Sequence, residues 1–356
     1  MILAADIGGT KSYIALFDWE NSITIPIHEE KYFNADFDSI EEILTEFLED
    51  ANKPKPDPDL DPDLDEEEND EEVPEPTPLV IEAACLGVAG PVLDNRCEAT
   101  NLPWVIDGPA LQTRFDIPHV VLRNDLEAMA HGVLILPPEQ TEYLNRPSRK
   151  PSPGTKALLA PGTGLGEAIL FWDGETYHPY PSEGGHASFA PTSDMEIELL
   201  RYLRSSYLHV SFERILSGEG LHLIYQFFRD TQKNEPTWFA EQIPTGDPAA
   251  LIAEAALKGK PDICVQALDL FISILGGEAG NLALKTLSLG GLFLAGGIPP
   301  KILPKLRGEA FKRAFVSKGR YKRLLSQIPV SVILNDKVGL LGAASVAATL
   351  VKSSEP

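Results

Sequence analysis

"AADIGGTKSYIALFD", residues 4–18, sets two short apolar runs on either side of a Gly8-Gly9-Thr10 turn. Each run is bounded by turn residues, so the stretch reads as two strands, "MILAAD" and "SYIALF", folded back on glycine. Glycine has no Cβ, and such a turn lets backbone N–H groups come close to an anion. A second stretch repeats the plan. "ALLAPGTGLGEAILFW", residues 157–172, is again an apolar strand, a turn of glycines and threonine, and an apolar strand. The recurrence predicts two related α/β halves, with Gly8, Gly9, Gly162, Gly164 and Gly166 available to a polyphosphate. The plainer alternative is a pair of ordinary hairpin turns. GxGxxG opening a helix and GxxxxGK[ST] are both absent, so neither a dinucleotide fold nor a P-loop is supported.

Outward from the first turn, "SITIPI" at 22–27 reads as a third strand. "SIEEILTEFLEDA" predicts a helix with Ser39 as N-cap and Glu42 completing a capping box. Its Ile40, Ile43, Leu44, Phe47 and Leu48 share one helical stripe. "LVIEAACLGVAGPV" reads as a strand ending in glycine, "DGPALQTRF" as a helix capped by Asp107, and "HVVLRND" as a buried strand running out at Asn124 and Asp125. "VSFERILSGEGLHLIYQFF" and "DICVQALDLFISILGGEAGNLALKTL" read as helical. Strands "GLFLAGG" and "PVSVIL" and the helix "GLLGAASVAATLV" close the chain.

The formal net charge of −23 over 356 residues is unevenly spread, because residues 57–75 hold twelve acids and no base. With no apolar periodicity and strong self-repulsion, residues 52–78 are expected to be a disordered surface loop. A calcium site there lacks the ordered spacing and glycine of an EF-hand. The negative field and the lack of a basic stripe argue against nucleic acid. No apolar run approaches the ~20 residues of a membrane span and no signal peptide is evident, so a cytoplasmic protein without a membrane partner is expected. Cys85, Cys97 and Cys264 are odd in number and form no CxxC and no His/Cys cluster, so neither a disulfide framework nor a thiolate zinc site is expected.

Asp125 stands at the carboxyl end of a buried strand, where open α/β sheets place ligands. A carboxylate there can orient a hydroxyl and take its proton as it attacks phosphorus. The alternative role is N-cap of the following helix. In "YPSEGGHASFAP", Glu183 and His186 are three residues apart across two glycines, so both can reach one small polar ligand. Glu213 would face solvent on an isolated helix and matters only where that helix borders a cleft.

These segments carry a resemblance. "DIGGTKSYIALFD", "GVAGPV", "RNDLEA", "PGTGLGEA", "SEGGHASFAP", "VSFERILSGEGL", "AGNLAL", "LAGGI" and "GLLGAA" occur in the order found in the bacterial glucokinase family, over nearly the whole chain except the acidic insertion. The resemblance implies an ATP-dependent kinase of the glucose 6-hydroxyl on the actin-like, ribonuclease-H-like α/β fold. Its small domain would be residues 1–135 with 337–356, and its large domain 136–336. It further implies that Ala5, Asp6, Ile7, Gly8, Gly9 and Thr10 contact ATP phosphates. Gly162, Thr163, Gly164 and Gly166 are their counterpart, and Gly296 and Gly297 lie near the adenosine. Asn124 would hold the sugar and Asp125 act as general base; Glu183, His186 and Glu213 match the other sugar positions. Mg²⁺ would accompany the nucleotide, with Asp6 acting on it through water. A homodimer is implied as well.

Lys11 in "DIGGTK" is also typical of the related ROK sugar kinases and repressors. Those usually carry a cysteine-rich zinc motif after the EGGH-like histidine, whereas "HASFAPTSDMEIELL" has no cysteine, so zinc is not expected. Glu167 stands after the second glycine turn, where the family commonly has an apolar residue. Two alternatives remain open: a kinase for another hexose or an N-acetylated hexose, and a sugar-sensing regulator. A strand at residues 1–5 leaves no room for the DNA-binding helix-turn-helix of the latter.

Overall fold

The computed structural model describes residues 1–53, 79–99, 102–145 and 153–354. Apart from Asn52 and Lys53, the acidic stretch expected to be a surface loop lies outside these residues. The chain divides into two compact units, Met1–Ile135 with Gly339–Pro356, and Leu136–Val338.

The first unit begins β1 (Ile2–Ile7), β2 (Lys11–Phe17), β3 (His28–Phe33), α1 (Ile40–Ala51) and β4 (Ala83–Val88). Short strands β5 (Val92–Leu93), β6 (Arg96–Glu98) and β7 (Val105–Asp107) precede α2 (Gly108–Phe115), β8 (His119–Asn124) and α3 (Asp125–Ile135). The main sheet runs β3-β2-β1-β4-β8: an antiparallel meander from β3 to β1, then parallel β1, β4 and β8. Central β1 and β4 are covered on both faces, which is why they read as unbroken apolar runs. Ser39 Oγ accepts from the Glu42 amide, and Ile40, Ile43, Leu44 and Phe47 bury the stripe of α1 among the core residues of this unit.

One strand is displaced from its expected position. Residues 22–27 form no strand; the third strand is the more polar His28–Phe33 beside β2. Ser22 Oγ accepts from the amides of Thr24 and Ile25, a local turn that competes with pairing, and Pro26 has no N–H to give a ladder. β3 lies at the sheet edge, where a polar face is tolerated.

The second unit contains β9 (Thr141–Asn145), β10 (Lys156–Pro161), β11 (Leu165–Trp172), β12 (Tyr177–Ser182), α4 (Asp194–Leu203) and α5 (Gly218–Gln232). There follow α6 (Thr237–Ala240), α7 (Pro248–Leu257), α8 (Asp262–Thr286), β13 (Gly291–Leu294), α9 (Leu303–Leu306), α10 (Glu309–Val316), α11 (Lys322–Leu325) and β14 (Val330–Ile333). Helix α12 (Val338–Ser354) belongs almost wholly to the first unit. The sheet order β12-β11-β10-β13-β14-β9 repeats the first plan, an antiparallel meander followed by parallel strands, with antiparallel β9 added at the edge. This duplicated α/β arrangement is the actin-like fold.

Two further expectations change. Helix α8 is long and apolar enough to span a bilayer by length and composition, although no such run was expected; 67% of its apolar window is buried, as befits the central helix of this core. Residues 210–217 are not helical. They turn back along residues 185–189, with Phe212 N donating to Ala187 O at 3.0 Å and Glu213 N to Gly185 O at 2.8 Å, and helix α5 starts only at Gly218 under its Ser217 cap.

Candidate active site

In the first unit, the parallel strands end side by side: Ile7 pairs with Val88, and Val88 with Asn124. Strand C-termini expose the turns that follow them, so functional groups of this sheet gather there. Asn124 Nδ2 donates to Gly90 O at 3.1 Å. The Leu126 amide donates to Asn124 Oδ1 at 3.0 Å and to Asp125 Oδ1 at 2.9 Å. Helix α3 begins at Asp125 itself, so the capping position expected of Asp125 falls to Asn124, whose Oδ1 takes the second helical amide, and the Leu126 contact fixes the Asp125 carboxylate at the strand end.

Asp6 lies near enough to feel the Asp125 charge. Burial, and after it that charge, push the Asp6 carboxyl up to about 7. Helix α12 approaches Asp6 through Gly339, where a Cβ would stand 2.7 Å from Asp6 Oδ2. The adjoining turn is closed by Gly8 N donating to Lys11 O at 3.0 Å. It is braced by Asn34, a buried side chain whose Nδ2 donates to Gly8 O at 2.8 Å and whose Oδ1 accepts from Ser12 Oγ at 2.7 Å. Ala5 and Ile7 are buried in β1, while Gly9 and Thr10 sit at the turn itself.

In the second unit, the corresponding turn between β10 and β11 is closed by Gly162 N donating to Gly164 O at 2.8 Å. Glu213 occupies the space where Gly164 lacks a Cβ, and its Oε2 accepts the Leu165 amide at 3.0 Å. Its Oε1 lies 3.7 Å from His186 Nδ1, and His186 Nε2 lies 3.9 Å from Glu183 Oε2. Glu183, His186 and Glu213 thus meet beside Gly164, with Thr163 within the same turn and Gly166 second in β11. Gly218 N, in the first turn of α5, donates to Gly162 O at 2.9 Å. Gly296, at φ +78°, turns the chain against Pro161, where a Cβ would stand 2.6 Å from the carbonyl oxygen; Gly297 N lies 3.9 Å from where a Gly162 Cβ would be.

Sequence reading passed over Asn34, because a lone asparagine after a polar strand carries no signal until the fold sets it under the first turn. It noticed Glu167 as unusual without placing it. Glu167 is 2% exposed on β11, and burial, then the charge of Glu278, raise its carboxyl to about 7, with Lys285 opposing. Cys85, Cys97 and Cys264 are buried free thiols; burial pushes Cys85 and Cys264 up to about 12, leaving them unreactive.

Comparison with known proteins follows the same lines. The glucokinase family model matches residues 3–350. A glucokinase of Nostoc punctiforme is 40% identical, covering 98% of this chain and 99% of its own. The crystal structure of a glucokinase from an Antarctic psychrotroph superposes with a TM-score of 0.78 at 29% identity, covering 98% of each chain. A ROK family glucokinase from Streptomyces griseus, solved with glucose and AMPPNP, shares the fold at a TM-score of 0.63 and 21% identity over 98% of this chain and 99% of that one. With two hairpin turns, a strand-end Asn-Asp pair and a family match along almost its full length, this chain belongs to the glucokinase family of ATP-dependent sugar kinases.

Proposed function

We propose that Asp125 is the general base for transfer of the γ-phosphoryl group of ATP to the 6-hydroxyl of D-glucose. The observation that carries this role is the Leu126 amide on Asp125 Oδ1, which holds the carboxylate at the C-terminal end of β8. A base for phosphoryl transfer needs position more than a large pKa shift. Asn124, tied to Gly90, presents its amide to the sugar. Glu183, His186 and Glu213 take further hydroxyls. Carboxylates and an imidazole suit a hexose, whose hydroxyls both donate and accept directed hydrogen bonds. A sugar lacking one hydroxyl leaves its protein partner unpaired, at about 1–3 kcal/mol.

The backbone of Ala5 to Thr10 and of Gly162 to Gly166 holds the ATP phosphates, and Gly296 and Gly297 flank the adenosine. Asp6 suits Mg²⁺ through water: it offers only hard oxygen donors, and its raised carboxyl beside a second acid would be relieved by a nearby dication. When bound with the nucleotide, Mg²⁺ supplies charge neutralisation for the phosphoryl group. The two units are the small and large domains of the kinase. Its setting is the cytoplasm and its assembly a homodimer; a monomer mass in sedimentation would exclude the latter.

A coupled ADP-release assay on the full chain with glucose, mannose, fructose, N-acetylglucosamine and no sugar tests the reading. Turnover is expected with glucose above all. Faster turnover with another sugar would reassign the substrate, and sugar binding without ADP release would favour a sensor.

A further inference from the structure

The pair Gly184-Gly185, between Glu183 and His186, sits directly on β11. Where Gly185 lacks a Cβ, the carbonyl of Leu165 fills the space; where Gly184 lacks one, Glu167 Oε2 does. Leu165 and Glu167 are two residues apart and share a strand face. The turn therefore rests on one backbone carbonyl and one acidic side chain. The acid is an unusual support, because Glu167 Oε1 is buried without a hydrogen-bond partner.

Burial raises the Glu167 carboxyl first, and the groups around it add to or oppose that shift. From α8 come Glu278, wholly buried, and Lys285. Lys285 Nζ donates to Glu278 Oε1 at 3.2 Å and Asn281 Nδ2 to Glu278 Oε2 at 2.7 Å, so Glu278 has partners for its charge. Lys318 is directed to Asn281, its Nζ donating to Oδ1 at 2.6 Å. Neighbours paired with Glu167 on the flanking strands, Leu159 and Ser182, carry no charge. Lys285 opposes only from its place on Glu278, and among the described residues no cation is hydrogen-bonded to Glu167 itself, so burial and the Glu278 charge hold its carboxyl above the usual carboxylate range.

We propose that Glu167 is a positioning residue of the sugar-binding turn: as a neutral acid packed against Gly184 it seats Glu183 and His186, and its ionisation unseats them, weakening glucose binding without altering nucleotide binding. This deepens the functional reading above and rests on its assignment of Glu183 and His186 to the sugar. A second carboxylate beside Glu278 would draw Lys285 from its partner or push away the turn that covers it. The consequence is a glucose affinity fully present while Glu167 is protonated and lost as pH rises through its titration near 7.

The test uses the full chain and the glucose KM, ATP KM and kcat measured across about pH 6 to about pH 8.5. Glucose KM should rise at least ~5-fold over that range, while ATP KM, whose pH dependence comes from Asp6 near 7, should follow the same curve in wild type and E167Q. Glu167→Gln, neutral at every pH and of the same shape, should hold the low-pH KM throughout. Glu278→Gln, which removes the like charge, should move the break to lower pH. The wild-type minus E167Q infrared pH-difference spectrum, in which the Asp6 carboxyl cancels, should show the loss of a protonated-carboxyl band as pH rises, independently of sugar. A wild-type pH slope retained in E167Q, or no such band, overturns the proposal. His186→Ala with unchanged glucose KM would overturn the assignment of the turn to the sugar and the proposal with it; a retained infrared signal would then mark the sugar assignment as the point of failure.

Discussion

Glu213 Oε2 accepts the Leu165 amide at 3.0 Å while its Oε1 stands 3.7 Å from His186 Nδ1. One carboxylate thus braces the glycine turn assigned to phosphate and orients the imidazole assigned to sugar. Its truncation should be felt by both substrates. Glu213→Ala is expected to lower kcat/KM for glucose by about 10- to 100-fold and to raise the ATP KM as well, whereas Glu183→Ala should affect glucose alone. Two-substrate kinetics separate the cases, and an ATP KM untouched in Glu213→Ala would refute the bracing role.

Asp125→Asn keeps the shape of the side chain and its hydrogen bond from Leu126 but removes the base. A kcat reduced by about 10²- to 10⁴-fold, with glucose binding by calorimetry close to normal, is the expected outcome. Near-wild-type turnover would exclude the role.

Gly296 combines φ +78° with a space already occupied by the Pro161 carbonyl. Gly296→Ala should cost about 1–3 kcal/mol of stability from backbone strain and crowding, read as a lower denaturant midpoint. Because the displaced turn adjoins Gly162, the ATP KM should rise in the folded fraction. An unchanged midpoint would contradict the conformation described.

Asn34→Ala leaves Gly8 O and Ser12 Oγ without their buried partner. A loss of about 1–3 kcal/mol is expected, with ATP KM raised more than glucose KM. Asn34→Asp keeps the acceptor but not the donor and should rescue little. Equal shifts in both KM values would argue that Asn34 supports the unit generally rather than the turn.

Glu167 also makes stability depend on pH. Its folded-state carboxyl titrates near 7 against an ordinary value of 4.5, so between these the folded chain holds a proton that the unfolded chain has lost. Stability from this group accordingly falls as pH rises from about 4.5 to about 7 and stays low above. Glu167→Gln should be more stable than wild type at about pH 8, by about 1–3 kcal/mol, with no advantage at about pH 4.5. Denaturant titrations at the two pH values check it, and an equal difference at both would rule out the linkage.

Much of this protein was legible in residue order alone. Central strands such as Ile2–Ile7 and Ala83–Val88 announce themselves because burial on both faces demands unbroken apolar runs, and the Ser39 and Asp107 caps are local hydrogen bonds within a few residues. The repeated glycine turns and the Asn124-Asp125 pair are likewise contiguous, so one chain displays them whole. Other features lie beyond such reading. The edge strand His28–Phe33 is half solvated and borrows its pairing from β2, so its pattern says little. Asn34 reaches Gly8 across 26 residues, Glu213 reaches Leu165 across 48, and the Glu167 carboxyl is raised only once folding buries it and, secondarily, α8 brings the charge of Glu278 beside it. Hydrogen bonding to a distant amide and the loss of water around an acid are properties of assembled surfaces, and only the tertiary structure assembles them.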